Sequence, residues 1–249
     1  KTDRTIPQKD LIVKSFDTEF PLLTVNEFVC MEAARHCGLE PPKVYLSENL
    51  ETFVVERFDK TSDGTKLGYE DFTTLLKKTN DPDAKYTGSY ETLLKATYLY
   101  TNSQAEVEKM YKYIVFTCLI GNGDAHLKNF ALQYTPDMKN IYLSPPFDIT
   151  HTKIYETIDN KMALKLANSK EFPDMSYLLK LANGTHFKIR KAKEIIESLS
   201  EGIIDYLKHS NEVQLLDGLR ASIESSVSNT MTPSYSTKSY RHDRIKKFE

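Results

Sequence analysis

Glycine is scarce in this chain. Nine occur in 249 residues, half the ordinary share of about 7%, and the first is Gly38. No glycine-rich phosphate loop can therefore lie before that position. Long apolar runs are missing too: nothing approaches the ~18 consecutive apolar residues of a membrane-spanning helix. The polar start Lys1-Thr2-Asp3-Arg4 carries no apolar stretch of the signal-peptide kind. Cysteine is limited to Cys30, Cys37 and Cys118, an odd number without metal-ligand spacing. That pattern predicts reduced, largely buried thiols in a cytoplasmic protein. Excess charge is also lacking. With 33 basic and 35 acidic side chains the net charge is −2, which disfavours a strongly basic nucleic-acid binder. What is present, 40% hydrophobic residues with 27% charged, is the make-up of an ordinary globular chain long enough for one large domain or two lobes.

Residues 10–16 read as a short strand with Lys14 inside it. Thr24 and Glu27 have capping-box spacing, and apolar Val25, Phe28, Val29 and Ala33 continue a helix that Gly38 stops. Residues 44–46 and 53–55 look like two strands joined by a polar turn at 47–49. Residues 1–57 thus read β, α, β, β: a small sheet carrying one helix. Asp63-Gly64 and Asn80-Asp81-Pro82 are turn signals. Beyond them the chain turns helical over 89–102 and 104–120, the second an apolar, central helix ending at Gly121-Asn122-Gly123. A hairpin is expected over 130–134 and 140–143, a long amphipathic helix from Ile189 to Leu207, and another helix over 212–228. The tail from 230 to 249 holds Lys238, Arg241, Arg244, Lys246 and Lys247 and reads as a solvated extension, with a phosphate- or nucleic-acid-facing arm as the sharper alternative. The expected fold class is α+β, with a small lobe over 1–57 and a mostly helical lobe over 58–249.

Chemistry concentrates in Gly121-Asn122-Gly123-Asp124-Ala125-His126-Leu127-Lys128-Asn129. Asp124 and Asn129 have the Asp-x-x-x-x-Asn spacing of a phosphoryl-transfer loop. There the Asp takes the acceptor hydroxyl proton and the Asn binds Mg²⁺. A second metal-binding Asp should follow a short hairpin, and Asp148 lies in Pro145-Pro146-Phe147-Asp148-Ile149. Lys14 could hold ATP phosphates, and the run from Val54 through Glu56, Phe58 and Asp59 sits where a kinase hinge offers its backbone to adenine. Taken singly these residues have blander readings. Lys14 would be an edge-strand lysine, Asp124 a turn or cap aspartate, Asn129 a turn residue and His126 a loop histidine. Glu27 fits a capping box better than a salt bridge to Lys14. Their joint order along the chain favours the kinase reading. No His or Cys stands at zinc spacing from His126.

The eight residues from Asn122 to Asn129 resemble the Asn-x-Asp-x-His-x-Lys-Asn signature of HipA-like serine/threonine kinases, the toxins of bacterial toxin–antitoxin modules. Residues 146–149 resemble their second magnesium motif and 55–59 their hinge, while Asn26-Glu27 and Gly38-Leu39 are similar to the adjoining helix. The resemblance implies a two-lobed kinase fold using ATP and Mg²⁺. It makes Asp124 the catalytic base and places His126 and Lys128 along the phosphates. Asn129 and Asp148 become metal ligands, and Lys14 a phosphate contact. Glu56 and Phe58 would meet adenine through their backbone, with Asp59 near the ribose. It implies a protein serine or threonine as substrate, with aminoacyl-tRNA synthetases among the targets, and neutralisation by antitoxin proteins. The family carries a Ser- and Gly-bearing loop upstream of the strand lysine, whereas residues 1–13 contain neither. Such a segment is expected in the full-length protein. The long family form also has an extra N-terminal subdomain. Its lack here resembles the short form HipT, in which that subdomain is a separate HipS antitoxin beside a helix-turn-helix HipB protein. Operator contact would then belong to the partner. A small-molecule or lipid kinase sharing Asp-x-His-x-x-Asn, and a catalytically silent kinase-fold binding module, are the competing readings.

Overall fold

The computed structural model describes residues 5–7, 10–15, 18–61, 63–78, 81–184 and 189–233. Phe16, Asn80 and the basic residues of the tail lie outside them. The chain adopts a two-lobed, protein-kinase-like α+β fold. β1 (Thr5–Pro7), β2 (Leu11–Ser15), β3 (Val44–Leu46) and β4 (Thr52–Glu56) form an antiparallel sheet in the order β1-β2-β4-β3. β1 had no sequence signal, and it changes the meaning of Lys14. With Thr5 opposite Lys14 on one side and Phe53 opposite it on the other, β2 is an interior strand and the edge-strand reading fails. The link from β1 to β2 is Gln8-Lys9-Asp10, without glycine.

α1 (Leu23–His36) packs against β3 and β4. The capping-box expectation does not hold. Leu22, at φ 53°, occupies the N-cap without a side-chain bond, so Thr24 and Glu27 fall inside the helix. Their periodicity puts both on its buried face. Thr24 donates its hydroxyl to the Leu50 carbonyl, and Glu27 is released for a different partner.

The second part is built on α4 (Gln104–Ile120), capped by Ser103, whose Oγ accepts from the Glu106 amide at 3.3 Å. Twelve of its 17 residues are buried, because α3 (Tyr90–Thr101), α6 (Ala192–His209) and α7 (Leu219–Met231) all pack on it. Glu106 ties its start to the neighbouring sheet, Oε2 accepting from the Leu143 amide at 2.7 Å. The expected hairpin is β6 (Ala131–Tyr134) with β7 (Ile141–Leu143). Unforeseen β5 (Gly68–Asp71) adds a third strand beside β6 and runs into the short α2 (Phe72–Leu75). A side chain at Gly68 would put its Cβ 2.0 Å from the Tyr134 ring across the strand pair. α5 (Met175–Gly184) precedes α6. α6 starts at Ala192 rather than Ile189, after Lys191 at φ 57°. The helix expected over 212–228 is divided: Gly218, at φ 78°, separates a single 3₁₀ turn at Glu212–Leu215 from α7. One hydrophobic cluster runs from Val25 and Phe53 through α4 to Val227. Cys30 and Cys118 are fully buried and Cys37 partly so. Burial pushes the Cys37 and Cys118 thiols up to about 12, which makes them unreactive. No helix among the described residues is long and apolar enough to cross a membrane.

Candidate active site

Lys14, on the interior strand β2, meets α1 and the segment after β7, and its side chain is 12% exposed. Its ammonium donates to Glu27 Oε1 at 2.5 Å and to Asp148 Oδ1 at 2.6 Å. Burial disfavours the charge, but the two carboxylates outweigh burial and hold the Lys14 pKa above its usual value. The salt bridge ranked below the capping box is therefore formed: α1 supplies a buried carboxylate to the strand lysine.

Asp148 follows Pro145-Pro146-Phe147 and has φ 56°. A non-glycine residue in the left-handed region stores strain that the surrounding structure must hold. Its second oxygen, Oδ2, accepts from Asn129 Nδ2 at 2.8 Å. Asn129 is turned by the other end of its amide, Oδ1 accepting from the His126 amide at 2.9 Å. The result is a continuous chain from Glu27 through Lys14 and Asp148 to Asn129. Tyr113 of α4 reinforces it, its hydroxyl 3.1 Å from the Phe147 carbonyl and 3.4 Å from that of Asn129.

The loop from Gly121 to Asn129 leaves α4 through Gly121 at φ 75°. A Cβ there would lie 2.8 Å from His151 Nδ1. Asn122 Oδ1 accepts from the Asp124 amide at 3.1 Å, and the Asp124 carbonyl accepts from His126 at 2.8 Å. The loop thus exposes the Asp124 side chain while burying His126 and Asn129. Burial lowers the His126 pKa, and the nearby Asp124 and Asp148 carboxylates only partly oppose it. The imidazole is neutral near pH 7. Lys128 projects to solvent beside it.

At the segment after β4, the Glu56 amide donates to the Lys43 carbonyl at 2.9 Å, and the Phe58 carbonyl accepts from Gln133 Nε2 at 2.8 Å. The Asp59 carboxylate is bound by Arg57, through Nε at 2.9 Å and through Nη2, and this hydrogen bonding lowers its pKa. Phe58 also joins Tyr69 and Phe147 in a ring cluster with centroids 5.3 to 6.4 Å apart.

Several supporting residues escaped the sequence reading. Asn26 of α1 brackets the His151 backbone, accepting from its amide at 2.7 Å and donating to its carbonyl at 2.8 Å. His151 is wholly buried. Its Nδ1 lies 2.6 Å from the Ile120 carbonyl and its Nε2 2.6 Å from Ser222 Oγ. A carbonyl only accepts, so Nδ1 carries the proton and the ring is neutral. Burial brings its pKa down to about 4. Asn26 was noted only as part of a helix, and nothing local distinguished His151, Tyr113, Gln133 or Tyr86.

The donors suit a hard cation. Asp148 and Asn129 offer carboxylate and amide oxygens, and Mg²⁺ is ordinarily held by one or two such groups together with substrate phosphates. Among the described residues no cluster of three or more His, Cys, Asp or Glu could cage a metal unaided. The exposed Asp124 beside this pair provides a carboxylate for an acceptor group.

Known proteins resemble this chain in sequence and in fold. The HipA-like C-terminal domain family matches residues 3–206. Among curated proteins, the chain is 31% identical over 180 residues to Y4dM, a candidate kinase of Sinorhizobium fredii, covering 66% of this chain and 43% of that protein. It is 24% identical over 184 residues to the serine/threonine-protein kinase toxin HipA of Shewanella oneidensis, covering 64% and 41%. The chain thus spans about half or less of the length of the curated relatives it matches. Of solved structures, Shewanella oneidensis HipA, determined with HipB and operator DNA, superposes with a TM-score of 0.71 at 18% identity, covering 88% of this chain and 57% of that one. The Helicobacter pylori proinflammatory kinase CtkA superposes with a TM-score of 0.57 at 15% identity, covering 91% and 88%.

Proposed function

The chain belongs to the HipA-like C-terminal domain family, and from that premise we propose that it is an ATP- and Mg²⁺-dependent serine/threonine protein kinase, the toxin of a bacterial toxin–antitoxin module. The observation that carries this reading is the Glu27–Lys14–Asp148–Asn129 chain of contacts. A lysine, two carboxylates and an amide from four separated segments converge on one cleft beside the exposed Asp124.

Lys14 places its ammonium on the nucleotide phosphates, and Glu27 keeps it charged and aimed. The Glu56 carbonyl and the Phe58 amide meet the adenine edge, since the Glu56 amide and Phe58 carbonyl are engaged by Lys43 and Gln133. Asp59, held ionised by Arg57, accepts from ribose hydroxyls. Asn129 and Asp148 would hold Mg²⁺, which when bound would neutralise charge on the phosphates. Asp124 orients the acceptor hydroxyl and accepts its proton as the acceptor oxygen bonds to the γ-phosphorus and the bond from that phosphorus to the departing ADP breaks. Lys128 and the neutral His126 line the phosphate path. Positioning and electrostatics of this kind supply most of the catalysis in phosphoryl transfer. The substrate would be a cellular protein such as an aminoacyl-tRNA synthetase, phosphorylated in the cytoplasm to arrest growth. The partners would be a HipB-like helix-turn-helix protein and a HipS-like small antitoxin.

The test is transfer of radiolabelled phosphate from ATP to lysate proteins and, separately, to small alcohols. We expect labelled protein, and loss of at least ~10³-fold in rate for Asp124→Asn with the fold intact, the scale on which a positioned general base and its electrostatics act. Wild-type-like transfer by Asp124→Asn would sink the assignment. Label confined to small alcohols would shift it to a small-molecule kinase.

A further inference from the structure

Asp124 is exposed, yet its carboxylate is not loose. Tyr86 directs its hydroxyl at Asp124 Oδ1 from 3.5 Å, and the same ring stands edge-on to His126 with centroids 5.5 Å apart. The segment that carries Tyr86 is rigidly made. Pro82 opens a 3₁₀ helix, Pro82–Tyr86, and Asp81 Oδ1 accepts from the Asp83 amide at 2.9 Å to cap it. Ala84 is buried, and Thr87 closes the turn by donating to the Ala84 carbonyl at 2.7 Å. Gly88 then lies so near the catalytic loop that a Cβ would be 3.2 Å from Leu127. The Lys165 amide donates to the Gly88 carbonyl at 3.1 Å from the other side. Tyr86 is thus fixed to the loop whose aspartate it addresses.

We infer that Tyr86 is a positioning residue for phosphoryl transfer, its hydroxyl binding one oxygen of the Asp124 carboxylate so that the other faces the acceptor hydroxyl. The inference rests on the kinase reading above. A carboxylate free to rotate about its terminal bond has a broad torsional well, and a hydrogen bond to one oxygen removes that freedom. The 3.5 Å separation is long for an O–H···O contact. Catalytic hydrogen bonds are commonly long before substrate binds and tighten in the reacting complex. The charges acting on the neighbouring His126 come from Asp124 itself, from Lys85, stacked on the Tyr86 ring at 4.9 Å, and from Asp148. Of the groups here, Tyr86 is the one with a hydroxyl aimed at Asp124.

Tyr86→Phe deletes that hydroxyl and keeps the ring against His126 and Lys85, so the fold is preserved. Two readouts separate this idea from the kinase assignment. In carbon-detected NMR at constant pH, the Asp124 carboxyl resonance should move in Tyr86→Phe, since one oxygen loses the hydroxyl directed at it. In kinetics, kcat should fall by roughly 10-fold, a part of the ~10²–10⁴ that a positioned general base supplies, with the KM for ATP unchanged. An unmoved Asp124 carboxyl resonance overturns the inference even if the wild type transfers phosphate well. A wild type that transfers no phosphate defeats the kinase reading instead, while the Asp124 resonance still judges the contact. Tyr86→Ala, which also removes the ring, should lower kcat further. Equal kcat for Tyr86→Phe and wild type counts against the inference.

Discussion

At the residue scale, the site is held by side chains whose charge states are set by burial. Lys14 is charged because two carboxylates outweigh its desolvation, and His151 is neutral because nothing does so for it. The latter gives a pH dependence with a definite sign. The His151 pKa falls from 6.5 to about 4 on folding, so both states are neutral above pH 6.5 and the group costs nothing there. Between pH 6.5 and 4 the unfolded chain takes up a proton that the folded chain refuses, and stability declines by about 3 kcal/mol. Thermal unfolding followed across that window should show the loss. His151→Gln, which retains a donor and an acceptor, should flatten the slope while lowering the plateau. An unchanged slope in His151→Gln would remove His151 as its source.

At the element scale, α1 is the part whose role changed most between pattern and structure. Its apolar spacing was legible, and so was its end at Gly38. Its start was not: capping-box spacing is a local coincidence here, because the helix begins one residue before Thr24 and turns Glu27 inward. The same helix holds the segment that follows Asp148 through Asn26, which satisfies both backbone groups of His151. Asn26→Leu keeps the volume and leaves those buried groups without partners. It should cost about 2–4 kcal/mol in denaturant unfolding and weaken nucleotide binding through Asp148, three residues away. A loss below ~0.5 kcal/mol would show that the bracket does little. The hairpin β6–β7 was visible from its turn and alternation. β1 and β5 were not, since Thr5-Ile6-Pro7 and Gly68-Tyr69-Glu70-Asp71 hold a proline, a glycine and few apolar residues, and each pairs along a strand already in place.

At the scale of the whole molecule, one apolar cluster links the sheet of the small lobe to the helices of the large one. The lobes should therefore unfold together in a single calorimetric transition. ATP with Mg²⁺ at ~100-fold above its Kd should raise that transition as a unit, by about 2.7 kcal/mol of linkage. Asp148→Asn should abolish the rise. Two separate transitions, or a rise unaffected by Asp148→Asn, would contradict this account. The amino-acid sequence by itself determined the Asp124-to-Asn129 loop, the apolar helix before it and the hairpin after it. These are written in adjacent positions, where turn chemistry and helical period act over a few residues. Only the tertiary structure decided which partners those residues meet. Lys14 and Asp148 are 134 positions apart, and Asn26 and His151 125 apart. Tyr86 reaches Asp124 across 38 positions. Such contacts depend on how whole elements pack to bury apolar surface, and no local spacing encodes that.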